Sequence, residues 1–137
     1  MPVVYGTFDA KHQAKTKTRD GEPKYYRLRH LYQFLVDMSA LFAIRTFVFE
    51  ESAAFQRGKA AIESAHQYRA VIQLFVANTA RDLCTITPQD VKRFALGKGT
   101  GGKDEMVTAA REKYGYKGND DNEADALHIM AWYLGAK

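Results

Sequence analysis

Ile44-Arg45-Thr46-Phe47-Val48-Phe49-Glu50-Glu51 decides how the rest of the chain is read. Its β-branched and aromatic residues favour extended backbone, and the short apolar run predicts a buried strand. On both sides the periodicity turns helical. Upstream, Leu28, Leu31, Tyr32, Leu35, Met38, Leu41 and Phe42 predict a long amphipathic helix over residues 25–43. Downstream, Ile62, Tyr68, Ile72, Phe75 and Val76 predict another within residues 52–78, with Gln56-Arg57-Gly58-Lys59 interrupting its start. A strand between two helices points to an α/β fold. The strand runs into Glu50-Glu51, at the C-terminal edge where open α/β sheets place their chemistry. The alternative is that both acids simply end the strand and solvate the loop.

The remaining segments extend the same pattern. Val3 to Asp9 carries β-formers and is expected to be a strand. Residues 11–24 are polar, with turn chemistry at Asp20-Gly21-Glu22-Pro23, and predict an exposed loop. Arg81-Asp82-Leu83 is expected to be a connection and Cys84-Thr85-Ile86-Thr87 a short strand. Pro88 suits the first turn of a helix over residues 89–95. Gly97-Lys98-Gly99-Thr100-Gly101-Gly102-Lys103 lacks the spacing of a P-loop. It either brings backbone N–H groups and two lysines to a phosphate or is only a flexible turn. Residues 104–114 return to helical spacing, and residues 115–119 form a loop.

Asp120-Asp121-Asn122-Glu123-Ala124-Asp125-Ala126-Leu127-His128-Ile129-Met130-Ala131-Trp132-Tyr133-Leu134 predicts a last helix with an acidic first turn. Asp120 is a good N-cap, and Glu123 stands where a capping box wants it. Leu127, Met130, Ala131 and Leu134 form its expected core stripe. Asp121 and Asp125 lie four apart on one face, with Asn122 beside them. Stacked carboxylates repel unless a cation lies between them, and hard oxygen donors of this kind suit Mg²⁺ or Mn²⁺. Complementing the helix dipole is the other explanation, and it covers Asp120 and Glu123 better than Asp125.

Composition narrows the class. A chain of 137 residues with 46% hydrophobic and 26% charged residues suits one soluble globular domain spanning 1–137. No run approaches the ~18 apolar residues of a membrane helix, so no membrane association is expected. The single cysteine, Cys84, excludes an internal disulfide and a cysteine-based zinc site, which suits a reducing cytoplasm. The net charge is +4, with pI near 9.2. Basic residues cluster at Lys11, Lys15, Lys17 and Arg19, at Lys24, Arg27, Arg29 and His30, and at Lys92, Arg93, Lys98 and Lys103. Arg27 and Arg29 at the start of a helix oppose its dipole, which a bound phosphate would explain. Acids segregated from several basic patches suggest a metal centre within a phosphate-binding surface.

Phe47-Val48-Phe49-Glu50-Glu51, then Thr87-Pro88-Gln89-Asp90-Val91-Lys92, then Gly97-Lys98-Gly99 with Lys103, and finally Asp121-Asn122-Glu123-Ala124-Asp125-Ala126-Leu127 resemble phage RuvC-like Holliday-junction resolvases. The resemblance spans nearly the whole chain. It implies a ribonuclease H-like mixed sheet flanked by helices, and a homodimeric endonuclease acting on branched DNA such as four-way junctions. It also implies two Mg²⁺ (or Mn²⁺) ions and a place in the host cytoplasm if the protein is phage-encoded. Carried over, Glu50 and Asp125 become metal ligands and catalytic residues. The third ligand falls on Asn122 by spacing or on Asp121 by chemistry, and Asp121 is preferred. Lys92 matches a lysine near the scissile phosphate. Lys98 and Lys103 match a phosphate-contacting loop, and Arg27 and Arg29 join them as candidate DNA contacts.

The resemblance also implies a first, central strand carrying an Asp. Val3–Asp9 looks like the strand after it, so the chain is expected to be N-terminally incomplete, with open sheet edges that invite association. Asp9 is the acid offered as a substitute. Without the first-strand Asp the chain is expected to bind junctions and to cleave them weakly or not at all. The alternatives are therefore a catalytically impaired DNA-binding protein of the same fold, and an interaction subunit with charged faces.

Overall fold

The structure is a computed structural model describing residue 8, residues 25–51 and residues 58–135. The elements are α1 (Tyr26–Leu41), β1 (Thr46–Glu50), α2 (Lys59–Thr79), β2 (Asp82–Ile86), α3 (Pro88–Leu96), α4 (Lys103–Tyr114) and α5 (Asp121–Gly135). Their order is the α/β alternation expected. Among the described residues β1 and β2 pair in a two-stranded parallel sheet. Of the strand expected over Val3–Asp9 only Phe8 is described, without strand assignment. The rest of it, Asp9, the loop 11–24 and residues 52–57 lie outside the described residues. No described helix is long and apolar enough to cross a membrane.

Two expectations about the strands need correction. β2 begins at Asp82, two residues earlier than anticipated, because the Asp82 N–H donates to the Arg45 carbonyl (3.0 Å) and its carboxylate pairs with the Arg45 guanidinium (3.4 Å). Backbone pairing to β1 overrides the poor strand propensity of aspartate. Every residue of β1, expected to be buried, is only half-buried. Among the described residues β1 has a single strand neighbour, so less of it is covered.

The chain divides into two compact units. One contains residues 8, 25–47 and 58–83, with α1 and α2 as its helices. Phe75 is its most enclosed side chain, at 1% exposure, meeting the rings of Tyr32 and Phe47 edge-on, each at 5.5 Å. Phe8 stacks on Phe34 at 4.3 Å. Arg27 reaches from α1 to Ser64 Oγ (3.0 Å) and Gln67 Oε1 (2.8 Å) on α2. The expected α1 stripe fades at its end: Leu35 is buried, but Leu41 and Phe42 are exposed.

The other unit contains residues 48–51 and 84–135. Its first cluster joins Ile86, Val91, Ala95, Met106 and Ile129, with Val48, Leu96 and Trp132 at its margin. Its second joins Val107, Ala110, Tyr116, Ala124 and Leu127. α5 contributes to both, so it buries a broad arc (Ala124, Leu127, His128, Ile129) instead of the narrow stripe expected, and Leu134 is exposed. Ala110 and Ala124, both at 0% exposure, supply the small contacts in the second cluster. His128, also at 0%, bonds across to α4 twice: Nε2 lies 2.9 Å from the Met106 carbonyl and Nδ1 3.0 Å from the Tyr114 hydroxyl.

Local chemistry sets the ends of these helices. Thr87 Oγ1 accepts the Asp90 N–H and Pro88 stands in the first turn of α3. Asp120 Oδ1 accepts the N–H groups of Asn122 (2.8 Å) and Glu123 (3.0 Å), capping α5 as anticipated. The return half of the capping box runs through a third residue. The Asp120 N–H donates to the Tyr116 hydroxyl (3.0 Å), which in turn donates to Glu123 Oε1 (2.9 Å). Tyr116 can lie there only because residue 118 is glycine, since a Cβ at that position would be 2.6 Å from Tyr116 Cζ. Gly118→Ala should therefore displace the ring and loosen the α5 cap, costing about 1–3 kcal/mol. Urea denaturation checks this: an unchanged midpoint would show that the ring yields without loss.

A candidate metal and phosphate cleft

β1, α3, α4 and α5 open onto one cleft of ≈ 270 Å³, lined by Glu50, Pro88, Val91, Lys92, Gly101, Gly102, Lys103, Met106, Asp121 and Asp125. Each charged member arrives by a different local device. Glu50 is the last residue of β1. Its neighbour Glu51 faces elsewhere and accepts a hydrogen bond from Thr85 Oγ1 (3.1 Å), while the Glu51 N–H donates to the Ile86 carbonyl (2.8 Å). Of the two adjacent acids, one lines the cleft and the other ties the strands together. Lys92 sits on α3, one residue past the buried Val91. Lys103 opens α4, and its ammonium lies 3.6 Å from Asp121 Oδ2.

The electrostatics are those of crowded carboxylates. Burial raises the Asp125 pKa to about 6, helped by the charges of Glu50 and Asp121 and opposed by Lys92 and Lys103. Burial also raises the Glu50 pKa, against the pull of Lys92. Three carboxylates and two ammonium groups thus share one cleft, and Glu50 and Asp125 hold their protons more tightly than free side chains do.

The other sequence candidates lie outside it. Asn122 is exposed and does not line the cleft, whereas Asp121 does. Lys98 is exposed and paired with Glu105 at 3.1 Å. Arg27 is bonded within its own unit, and Arg29 is exposed with its guanidinium 5.2 Å from the Tyr26 ring centroid. The glycine-rich stretch divides its work. Gly97 closes α3 in the left-handed conformation (φ 76°), while Gly101 and Gly102 form cleft wall leading into α4. Sequence reasoning missed Met106 in the wall and the Tyr116 relay. A histidine within the apolar run Leu127-His128-Ile129 was the available signal for the contact between α4 and α5.

Among the described residues, no group of three or more His, Cys, Asp and Glu side chains is gathered tightly enough to hold a metal ion. The carboxylates stand around the cleft and do not converge on a point. Mg²⁺ needs no such cluster, since it keeps several waters and often takes only one or two carboxylates. The donors fit a hard divalent cation in kind, and their mutual repulsion favours one.

No sequence-family profile matches the chain, and no curated protein matches it in sequence. Solved structures do match in three dimensions. Thermus thermophilus RuvC superposes with a TM-score of 0.70 at 17% identity, over 88% of this chain and 75% of that one. T. thermophilus RuvC in complex with Holliday junction substrate gives 0.71 at 18%, over 86% and 74%. The fold is RuvC-like. This agrees with the resemblance carried by the sequence motifs, and the mixed α/β element order is compatible with a ribonuclease H-like sheet. At these identities the likeness shows the fold alone.

The raised Asp125 pKa has a measurable sign. A carboxyl that binds its proton more tightly when folded than when unfolded (3.8) stabilises the fold under acid conditions. That contribution is lost as pH rises through about 6. Without divalent metal, Asp125→Asn should be more stable than the parent at pH 8, with the difference shrinking through pH 6 towards 4. Urea midpoints across this range test it; a difference independent of pH would mean that Asp125 ionises freely.

Proposed function

We propose that this chain is a metal-dependent, structure-selective endonuclease of the Holliday-junction resolvase type, acting on branched DNA. The observation that carries the reading is the meeting of Glu50, Asp121 and Asp125 with Lys92 and Lys103 in one cleft of a RuvC-like fold. A solved structure of that fold is in complex with Holliday junction substrate. Glu50, Asp121 and Asp125 would hold Mg²⁺ or Mn²⁺, two ions by resemblance, while Asn122, the other candidate ligand, does not line the cleft. A divalent ion held there would supply an activated water and charge stabilisation for the leaving 3′ oxygen of an in-line displacement at phosphorus. Asp9, offered as a further ligand, lies outside the described residues.

The protein's own groups bind and orient the backbone. Lys92, half-buried beside the carboxylates, would hold the scissile phosphate. Lys103 and the backbone of Gly101 and Gly102, at the positive end of the α4 dipole, suit an adjacent phosphate. Lys98, exposed outside the cleft, and Arg29, exposed on α1 of the other unit, remain candidate DNA contacts. Arg27 can contact DNA only in competition with Ser64 and Gln67. Contacts of this kind read backbone shape in preference to base sequence. A homodimer would present two such clefts to the two strands cut in a junction.

The test is nicking of an end-labelled four-way junction beside a linear duplex of the same sequence. Junction cleavage should require Mg²⁺ or Mn²⁺, stop with EDTA and be abolished by Asp125→Asn. Junction binding without any cleavage would instead make this a DNA-binding protein of the same fold. Cleavage that survives Asp125→Asn would remove α5 from the reaction. Separately, Lys92→Ala and Lys103→Ala should each lower the salt slope of DNA binding by roughly one, whatever the base sequence. Wild-type slopes in both variants would take the lysines out of the interface.

A further inference from the structure

We propose that His128 is a positioning residue for the cleft, holding the turn of α5 that carries Asp125 in fixed register with the turn of α4 that carries Lys103 and Met106. The inference rests on the reading of the cleft as a divalent-ion site. A carbonyl oxygen only accepts, so the 2.9 Å contact to Met106 O puts the proton on Nε2. Nδ1 is then the acceptor, and the Tyr114 hydroxyl donates to it across 3.0 Å. The ring is neutral, with both nitrogens satisfied, as a side chain at 0% exposure requires.

A leucine would fill the same space without fixing direction. Apolar contacts between two helices tolerate small slides and rotations, whereas two directional bonds to separate turns of α4 do not. The geometry places this clamp close to the cleft. His128 lies three residues beyond Asp125, one turn along α5 on a neighbouring face. Its acceptor belongs to Met106, which lines the cleft with Asp125 and, one turn earlier on α4, Lys103. His128 touches none of the proposed ions or phosphates; it acts through the helix backbones, and the Met106 carbonyl sets its tautomer.

The test is Mn²⁺ titration calorimetry on the whole chain, well below the melting temperature. His128→Leu should weaken the Mn²⁺ Kd by about tenfold or more, in the range found for groups that orient metal ligands. His128→Gln, whose amide can donate to the Met106 carbonyl, should remain within about threefold of the parent. Leu127→Ala, a core truncation on the same helix that breaks no bond to α4, should lower the melting temperature while leaving the Kd in place. Should His128→Leu not fold by circular dichroism, Tyr114→Phe decides, because it removes only the hydroxyl; a weakened Kd supports the clamp. An unchanged Kd in His128→Leu or Tyr114→Phe overturns this proposal alone. A parent chain that binds no Mn²⁺ overturns the reading of the cleft and this inference with it.

Discussion

Glu50, Asp121 and Asp125 bring three negative charges to one half-buried cleft, and their mutual repulsion constrains everything arranged around them. At an effective dielectric of about 20, two unit charges ~8 Å apart still interact by about 2 kcal/mol. Carboxylates left to stability alone would not be gathered so. The cleft meets the repulsion with Lys92 from α3 and Lys103 from α4, and with carboxyls that keep their protons to higher pH. Neither answer neutralises the site fully. What remains is an affinity for further positive charge, set beside groups suited to phosphate.

Holding such a site together requires a well-anchored α5, since two of its acids sit in the first turns of that helix. Anchoring comes from both ends of the problem. At the start, Asp120 caps the helix and Tyr116 closes the cap through its hydroxyl, while Arg111 donates twice to the Gly118 carbonyl and steadies the loop between them. Further along, the buried alanines and the His128 bonds hold α5 on α4. Truncating a buried side chain such as Leu127 costs about 2–5 kcal/mol in a packed core. The apolar clusters therefore supply stability, and the polar bonds supply position.

Much of this was legible from residues. Strand β1, the caps at Thr87 and Asp120, and the helices of the second half follow from propensity, periodicity and local hydrogen bonding, which act within a few residues. Glu50 is nominated by its place at the end of a strand and Asp121 and Asp125 by their spacing; of Asp121 and Asn122, it is Asp121 that lines the cleft. What escaped depends on partners distant in sequence. β2 starts at Asp82 because of Arg45, and the breadth of the α5 core face reflects two clusters contributed by α3, α4 and β2. Arg27, nominated because it opposes its helix dipole, and Lys98, nominated from a loop resemblance, each also have a protein partner that those signals do not reveal.

The tandem acids at the end of β1 carry one more consequence. Side chains along a strand alternate between faces, so sliding β1 by a single residue would exchange Glu50 and Glu51. The sheet would keep its hydrogen bonds and the chain its composition, yet the cleft would be lined from a different position with an altered reach. The side-chain bond from Thr85 to Glu51 opposes that slip. A residue that never enters the cleft thus acts as the index mark by which the strand is read, and damage to it would appear as a misaligned centre in a protein that is still folded.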